Sequence, residues 1–150
     1  MRRLELRRHA KRDPDGDRLS PLGRAEAEDV GRRSSVPYDA VFVSPAERAA
    51  ETAAWILRGA GARLPDHEVV PGLAGRDAEG GSVESMARGV RALLDRVPEG
   101  GTALAISHTP FVERAAEGLT GREPRPFAEL EGILVTRPDD GPLEVEELRS

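Results

Sequence analysis

The chain has no cysteine, no asparagine and no glutamine, and Lys11 is its one lysine beside many arginines. Without cysteine, disulfides, thiolate catalysis and thiol-based metal sites are excluded. Long apolar runs are missing too: no segment is long enough to span a bilayer, and Met1-Arg2-Arg3 leads into further charge with no apolar leader region. These absences predict a cytoplasmic protein without a membrane partner. A basic excess is also lacking. The net charge of −5 and the isoelectric point near 5.3 argue against a general binder of nucleic acid or anionic membranes, so an anionic substrate has to meet a locally positive pocket. The missing Asn and Gln and the scarce Lys fit the codon bias of a GC-rich genome ahead of heat adaptation. At 150 residues, one domain spanning 1–150 is expected, large enough to bury a core.

What is present alternates between strand and helix patterns. Leu4 to Arg8 reads as a strand with Leu4 and Leu6 on one face, followed by the turn-rich run Asp13-Pro14-Asp15-Gly16-Asp17. Ser20-Pro21 predicts an N-cap and first helical residue, with a helix to about Arg33 and a thin stripe of Leu22, Ala25 and Val30. Ala40-Val41-Phe42-Val43 is a compact run suited to a strand buried on both faces. Ser44, Pro45 and Glu47 have the spacing of a capping box, and Ala49, Thr52, Ala53, Ile56 and Leu57 recur at helical spacing up to Gly59.

Val69-Val70 is a brief third strand, and Pro71 to Gly81 a Gly-rich candidate rim or lid. Ser82 caps a strongly amphipathic helix ending near Val97, and Thr102 to Ile106 is a buried-type strand. Thr109-Pro110 repeats the cap-plus-proline signal before a helix through Leu119. Gly132 to Thr136 and Leu143 to Glu146 are further strands, the last alternating like an exposed edge. The order of elements indicates an α/β three-layer domain with a mostly parallel central sheet flanked by helices and an antiparallel edge near the C-terminus.

In such sheets ligands bind beyond the carboxyl ends of the strands. Three predicted junctions carry polar groups there: Arg8-His9, Ser44 with Arg48, and Ser107-His108. Arginine offers a planar fork of donors to phosphate oxygens, and neutral histidine is a competent nucleophile. Arg48, in a first helical turn, adds the N-terminal dipole. The convergence points to a phosphate pocket. His9, His67 and His108 are residue types that bind metals, but neighbouring arginines would repel a cation, so no metal is assigned. Ser20, Ser44 and Thr109 are read as caps, with phosphate contact by Ser20 as a secondary role.

Arg8-His9-Ala10, Leu19-Ser20-Pro21-Leu22-Gly23, Ser44-Pro45-Ala46-Glu47-Arg48-Ala49-Ala50-Glu51-Thr52 and Ser107-His108-Thr109-Pro110, in that order, resemble the histidine phosphatase, or phosphoglycerate-mutase-like, superfamily. The short chain and the Arg-His-Ala-Lys start resemble its small SixA-type phosphohistidine phosphatase branch. The resemblance implies His9 as a nucleophile that carries a covalent phosphoryl group, with Arg8, Arg48 and a protonated His108 holding its oxygens and no cofactor or metal required. It implies as substrate a phosphorylated small molecule or a phosphohistidine-bearing protein. The general acid is the weak point of the match. Glu84 is the candidate, with Asp77 and Glu79 behind it, although Glu84 also suits a helix N-terminus. A phosphate-recognising regulatory module with little turnover is the alternative, and a mutase a third reading.

Overall fold

The computed structural model describes residues 1–34, 37–63 and 66–150. Its elements follow the expected alternation: β1 (Arg2–Arg8), α1 (Pro21–Arg32), β2 (Ala40–Val43), α2 (Glu47–Gly59), β3 (Glu68–Val69), a 3-10 turn (Pro71–Ala74), α3 (Val83–Leu94), β4 (Thr102–Ser107), α4 (Phe111–Thr120), β5 (Gly132–Arg137) and β6 (Glu144–Leu148). The six strands form one sheet in the order β3-β2-β4-β1-β5-β6. β3, β2, β4 and β1 run parallel, while β5 is antiparallel to β1 and β6 to β5. This is the expected mostly parallel sheet with an antiparallel edge.

Helices cover both faces, which is why the central strands lack polar alternation. Every residue of β4 is buried. On one face Leu4, Leu6, Ala103, Ala105 and Ile133 pack in a cluster with Met86 and Val90 of α3 and Val112 and Ala115 of α4. On the other, Val41, Val43, Leu104 and Ile106 pack with Ala49, Ala53, Ile56 and Leu57 of α2 and Ala27 of α1. Glu5 reaches that second face from β1, where its carboxylate accepts from Arg7 Nε at 2.5 Å and from the Tyr38 hydroxyl at 2.9 Å.

Three local expectations are corrected. The buried stripe of α1 is Gly23, Ala27 and Gly31; of the expected residues Val30 is half-buried against the core, while Ala25 is exposed and Leu22 is 55% exposed. Small residues are needed because α1 lies almost backbone to backbone on α2: a Cβ on Gly31 would stand 1.8 Å from the Ile56 carbonyl oxygen. Helix α2 starts at Glu47 with Ala46 at its N-cap, so the Ser44 capping box does not form. Likewise α4 starts at Phe111, after a cis Thr109–Pro110 peptide, and the Thr109 hydroxyl donates to Glu113 rather than capping the helix. By contrast, Ser20 and Ser82 do cap, accepting from Gly23 N–H at 3.0 Å and Ser85 N–H at 3.1 Å.

The Pro71–Gly81 segment is tied down rather than lid-like. The Ser107 hydroxyl donates to the Leu73 carbonyl at 2.6 Å, and Arg114 donates to the Gly81 carbonyl at 3.1 Å. Among the described residues no helix is long and apolar enough to cross a membrane.

Candidate active site

Strand register assembles the site. In the parallel pairs Arg8 stands opposite Ser107, and Val43 opposite Ile106. His9 and His108 therefore leave the sheet side by side, one residue beyond their strands, with Ser44 next to His108. The His9 and His108 rings are 5.2 Å apart between centroids. Ser44 Oγ lies 2.5 Å from His108 Nε2, and both residues are buried. Ser44 reads in sequence as a local cap; the fold spends its hydroxyl on a histidine 64 positions away.

His9 is held in one tautomer. Its Nδ1 lies 2.7 Å from the Ala10 carbonyl oxygen, a group that only accepts, so the proton resides on Nδ1 and Nε2 keeps a lone pair. Burial pushes the imidazole below its ordinary value; the Ala10 carbonyl opposes this, and Arg48 and Arg8 reinforce it. The residue whose carbonyl orients the ring is itself anchored: the Ala10 N–H donates to Thr52 Oγ1 at 3.0 Å, and that hydroxyl donates to the Arg48 carbonyl at 2.7 Å.

For His108, burial first, then Arg48 and His9, push the pKa down to about 4. Desolvation and positive neighbours thus favour the neutral imidazole by opposing a second buried cation. A phosphate dianion would reverse the balance. His108 Nδ1 and Arg8 Nε are buried polar atoms with no hydrogen-bond partner among the described residues. Buried donors left unpaired are uncommon and call for an explanation such as a ligand.

Both arginines are held by carboxylates that have no motif signature. Asp17, from the turn-rich run after β1, pairs with Arg48 and accepts from the Glu47 N–H at 2.8 Å, thereby capping α2. Against the opposing effect of its partial burial, those bonds keep the Asp17 carboxyl below the usual range. Glu129 lies 3.2 Å from Arg8 NH2, and Arg8 NH1 donates to the Phe127 carbonyl at 2.9 Å. Thr52 did carry a signal, being a hydroxyl on an otherwise apolar helix stripe. Asp17 reads in sequence as one more turn residue, and Glu129 carries no signal that separates it from surface charge.

The other candidates are not brought to this cluster. Glu84 is exposed and lines a groove between α3 and α4 with Arg88 and Glu117. Glu79 pairs with Arg88, and Asp77 accepts from the Glu79 and Gly81 N–H groups. Ser20 uses its hydroxyl on the α1 cap and on the Lys11 carbonyl, and His67 is exposed. Among the described residues no group of three or more His, Cys, Asp or Glu is arranged to hold a metal ion.

The model of the histidine phosphatase superfamily (branch 1) matches residues 4–92, more than half of the chain. The chain belongs to that superfamily. The match takes in Arg8, His9, Ser44 and Arg48, whereas His108 lies beyond it and is joined to them by strand register. No curated protein sequence matches. Several solved structures share this histidine phosphatase fold. The protein histidine phosphatase SixA complexed with tungstate is 26% identical with a TM-score of 0.75, over 98% of this chain and 96% of that one. A histidine-to-alanine mutant of phosphoserine phosphatase from Entamoeba histolytica, in complex with phosphoserine, is 18% identical with a TM-score of 0.77, over 100% and 98%. Phosphoglycerate mutase from Bacillus anthracis str. Sterne is 13% identical, also with a TM-score of 0.77, over 97% and 92%.

Proposed function

We propose that this protein is a metal-independent phosphatase acting on a phosphohistidine-bearing protein or a small phosphomonoester through a covalent phosphohistidine on His9. The observation that carries the reading is the Nδ1 to Ala10 carbonyl bond at 2.7 Å, which leaves Nε2 as the nucleophilic lone pair of a neutral ring. In the first step Nε2 forms a bond to phosphorus as the bond to the leaving group breaks, the electron pair departing with that group. In the second, water attacks phosphorus, the N–P bond breaks, and inorganic phosphate and neutral His9 are released. Arg8, Arg48 and His108, through its Nδ1, donate to the phosphoryl oxygens, whose charge spreads in the transition state.

An alkoxide leaving group needs a proton, and Glu84 stands apart from the four site residues. A ring-protonated phosphohistidine leaves as neutral imidazole and needs none. This favours phosphohistidine over plain esters.

The test is an alkaline-quench trap with labelled phosphohistidine protein and, separately, labelled aryl phosphate. Wild type is expected to retain label and His9→Ala to lose it. Absence of both label and turnover, with phosphate analogues still bound, would replace the enzyme reading with that of a recognition module.

A further inference from the structure

Glu129 belongs to two features at once. It is the ion-pair partner of Arg8, and it forms part of the wall of a cleft of about 650 Å3 between α1 and the β5–β6 side of the sheet. The three arginines lining that cleft are already matched by carboxylates: Arg7 with Glu5 at 2.5 Å, Arg33 with Asp29 at 3.2 Å and Arg149 with Glu131 at 3.5 Å. Among the described residues Glu129 pairs only with Arg8, the same guanidinium a phosphate would claim. Once Arg8 turns to phosphate, the negative charge of Glu129 is left facing whatever the phosphate carries.

The position of Glu129 is fixed rather than adaptable. The next residue, Leu130, is buried and holds a left-handed backbone at φ 68°, a conformation costly for a branched side chain. It is clamped there by its own N–H to the Arg8 carbonyl at 3.0 Å, while the Arg8 N–H donates to the Glu131 carbonyl at 2.8 Å. The turn thus locks the Glu129 backbone to the strand that delivers Arg8 and His9.

We infer that Glu129 is a specificity-determining residue that selects phosphorylated substrates bearing a cationic, protonated-nitrogen group beside the phosphoryl group and rejects those bearing a carboxylate. The inference rests on the phosphatase reading above and narrows its substrate class. Asp17 on Arg48 adds to the same bias: each of the two arginines is already matched by one carboxylate, so an extra anion beside the phosphate has no spare cation within these pairs. A single charge within several ångströms at a partly exposed site changes binding about tenfold.

The test compares affinities, measured by calorimetry, for two small phosphate esters of similar length and opposite charge, phosphoethanolamine and phosphoglycolate, with turnover of 4-nitrophenyl phosphate, whose aryl leaving group needs no general acid, as the activity reference. Wild type is expected to prefer phosphoethanolamine, and the isosteric Glu129→Gln to lower the ethanolamine-to-glycolate ratio about tenfold or more. Glu146→Gln on edge strand β6 makes the same charge change and should leave the ratio alone. A ratio unchanged in Glu129→Gln, or shifted equally by Glu146→Gln, overturns the inference even where the reference ester is turned over. Failure of wild type to turn over both the reference ester and phosphohistidine protein counts against the phosphatase reading, while the affinity ratio still decides the role of Glu129 with the same outcomes.

Discussion

Thr52→Val tests whether the fold positions its nucleophile through a single buried hydroxyl. The exchange keeps side-chain shape but removes the acceptor of the Ala10 N–H, in a residue with 0% exposure beside another with 0%. No water replaces that acceptor in a packed site, so the cost is that of an unsatisfied buried donor, about 1–3 kcal/mol. The Arg48 carbonyl loses the Thr52 hydroxyl as well, but it can keep the helical bond of α2, so its share is minor. For a chain of this size each kcal/mol moves the midpoint by roughly 2–4 °C, giving an expected drop of roughly 2–12 °C. The Ala10 carbonyl also holds the His9 tautomer, so kcat should fall by about tenfold to a hundredfold as the ring loses its alignment. Thermal unfolding, amide exchange at Ala10 and single-turnover kinetics read the three effects, with Thr52→Ser as the variant that retains the hydroxyl and the rate. A Thr52→Val protein that melts within about 1 °C of wild type and turns over normally would refute the reasoning.

Three further outcomes are expected. Ser20→Ala should cost about 1 kcal/mol of stability through loss of the α1 cap and leave kcat/KM unchanged, since its hydroxyl serves Gly23 and Lys11; a large rise in KM would return Ser20 to the substrate. His108 should titrate in NMR near its pKa of about 4 in the free protein and move upward when phosphate or vanadate is added. Because the unfolded chain takes up that proton more readily, the His108 share of stability is full above pH 6.5 and is lost as pH falls toward about 4; stability independent of pH across that window would contradict it. Arg48→Lys should lower kcat/KM by roughly a hundredfold, because a point charge cannot reproduce the guanidinium fork, with the melting midpoint far less affected.

Much of the architecture was legible because an α/β domain writes itself locally. The buried runs Ala40–Val43 and Thr102–Ser107 sit where expected, and α2 and α3 bury the stripes that their periodicity marks. Failures occurred where a local pattern met a tertiary competitor. Ser44 has the spacing of a cap, yet Asp17 takes over that task from across a loop and releases the hydroxyl to His108. Leu22 is the largest apolar residue at the start of α1, yet close helix contact rewards Gly23, Ala27 and Gly31 and turns the leucine outward.

By itself the sequence determined the residue types of the candidate site and their place at strand ends, since Arg8-His9 and Ser107-His108 each follow a run that reads as a strand. Tertiary structure alone decided which of them meet. Strand order and register are set by pairing between distant segments, and β1 sits between β4 and β5, contributed by residues about a hundred positions away. The same holds for charge: Asp17 and Glu129 acquire their roles only when the chain folds Arg48 and Arg8 against them. Periodicity reports which face a residue buries; it carries no information about the partner that face will find.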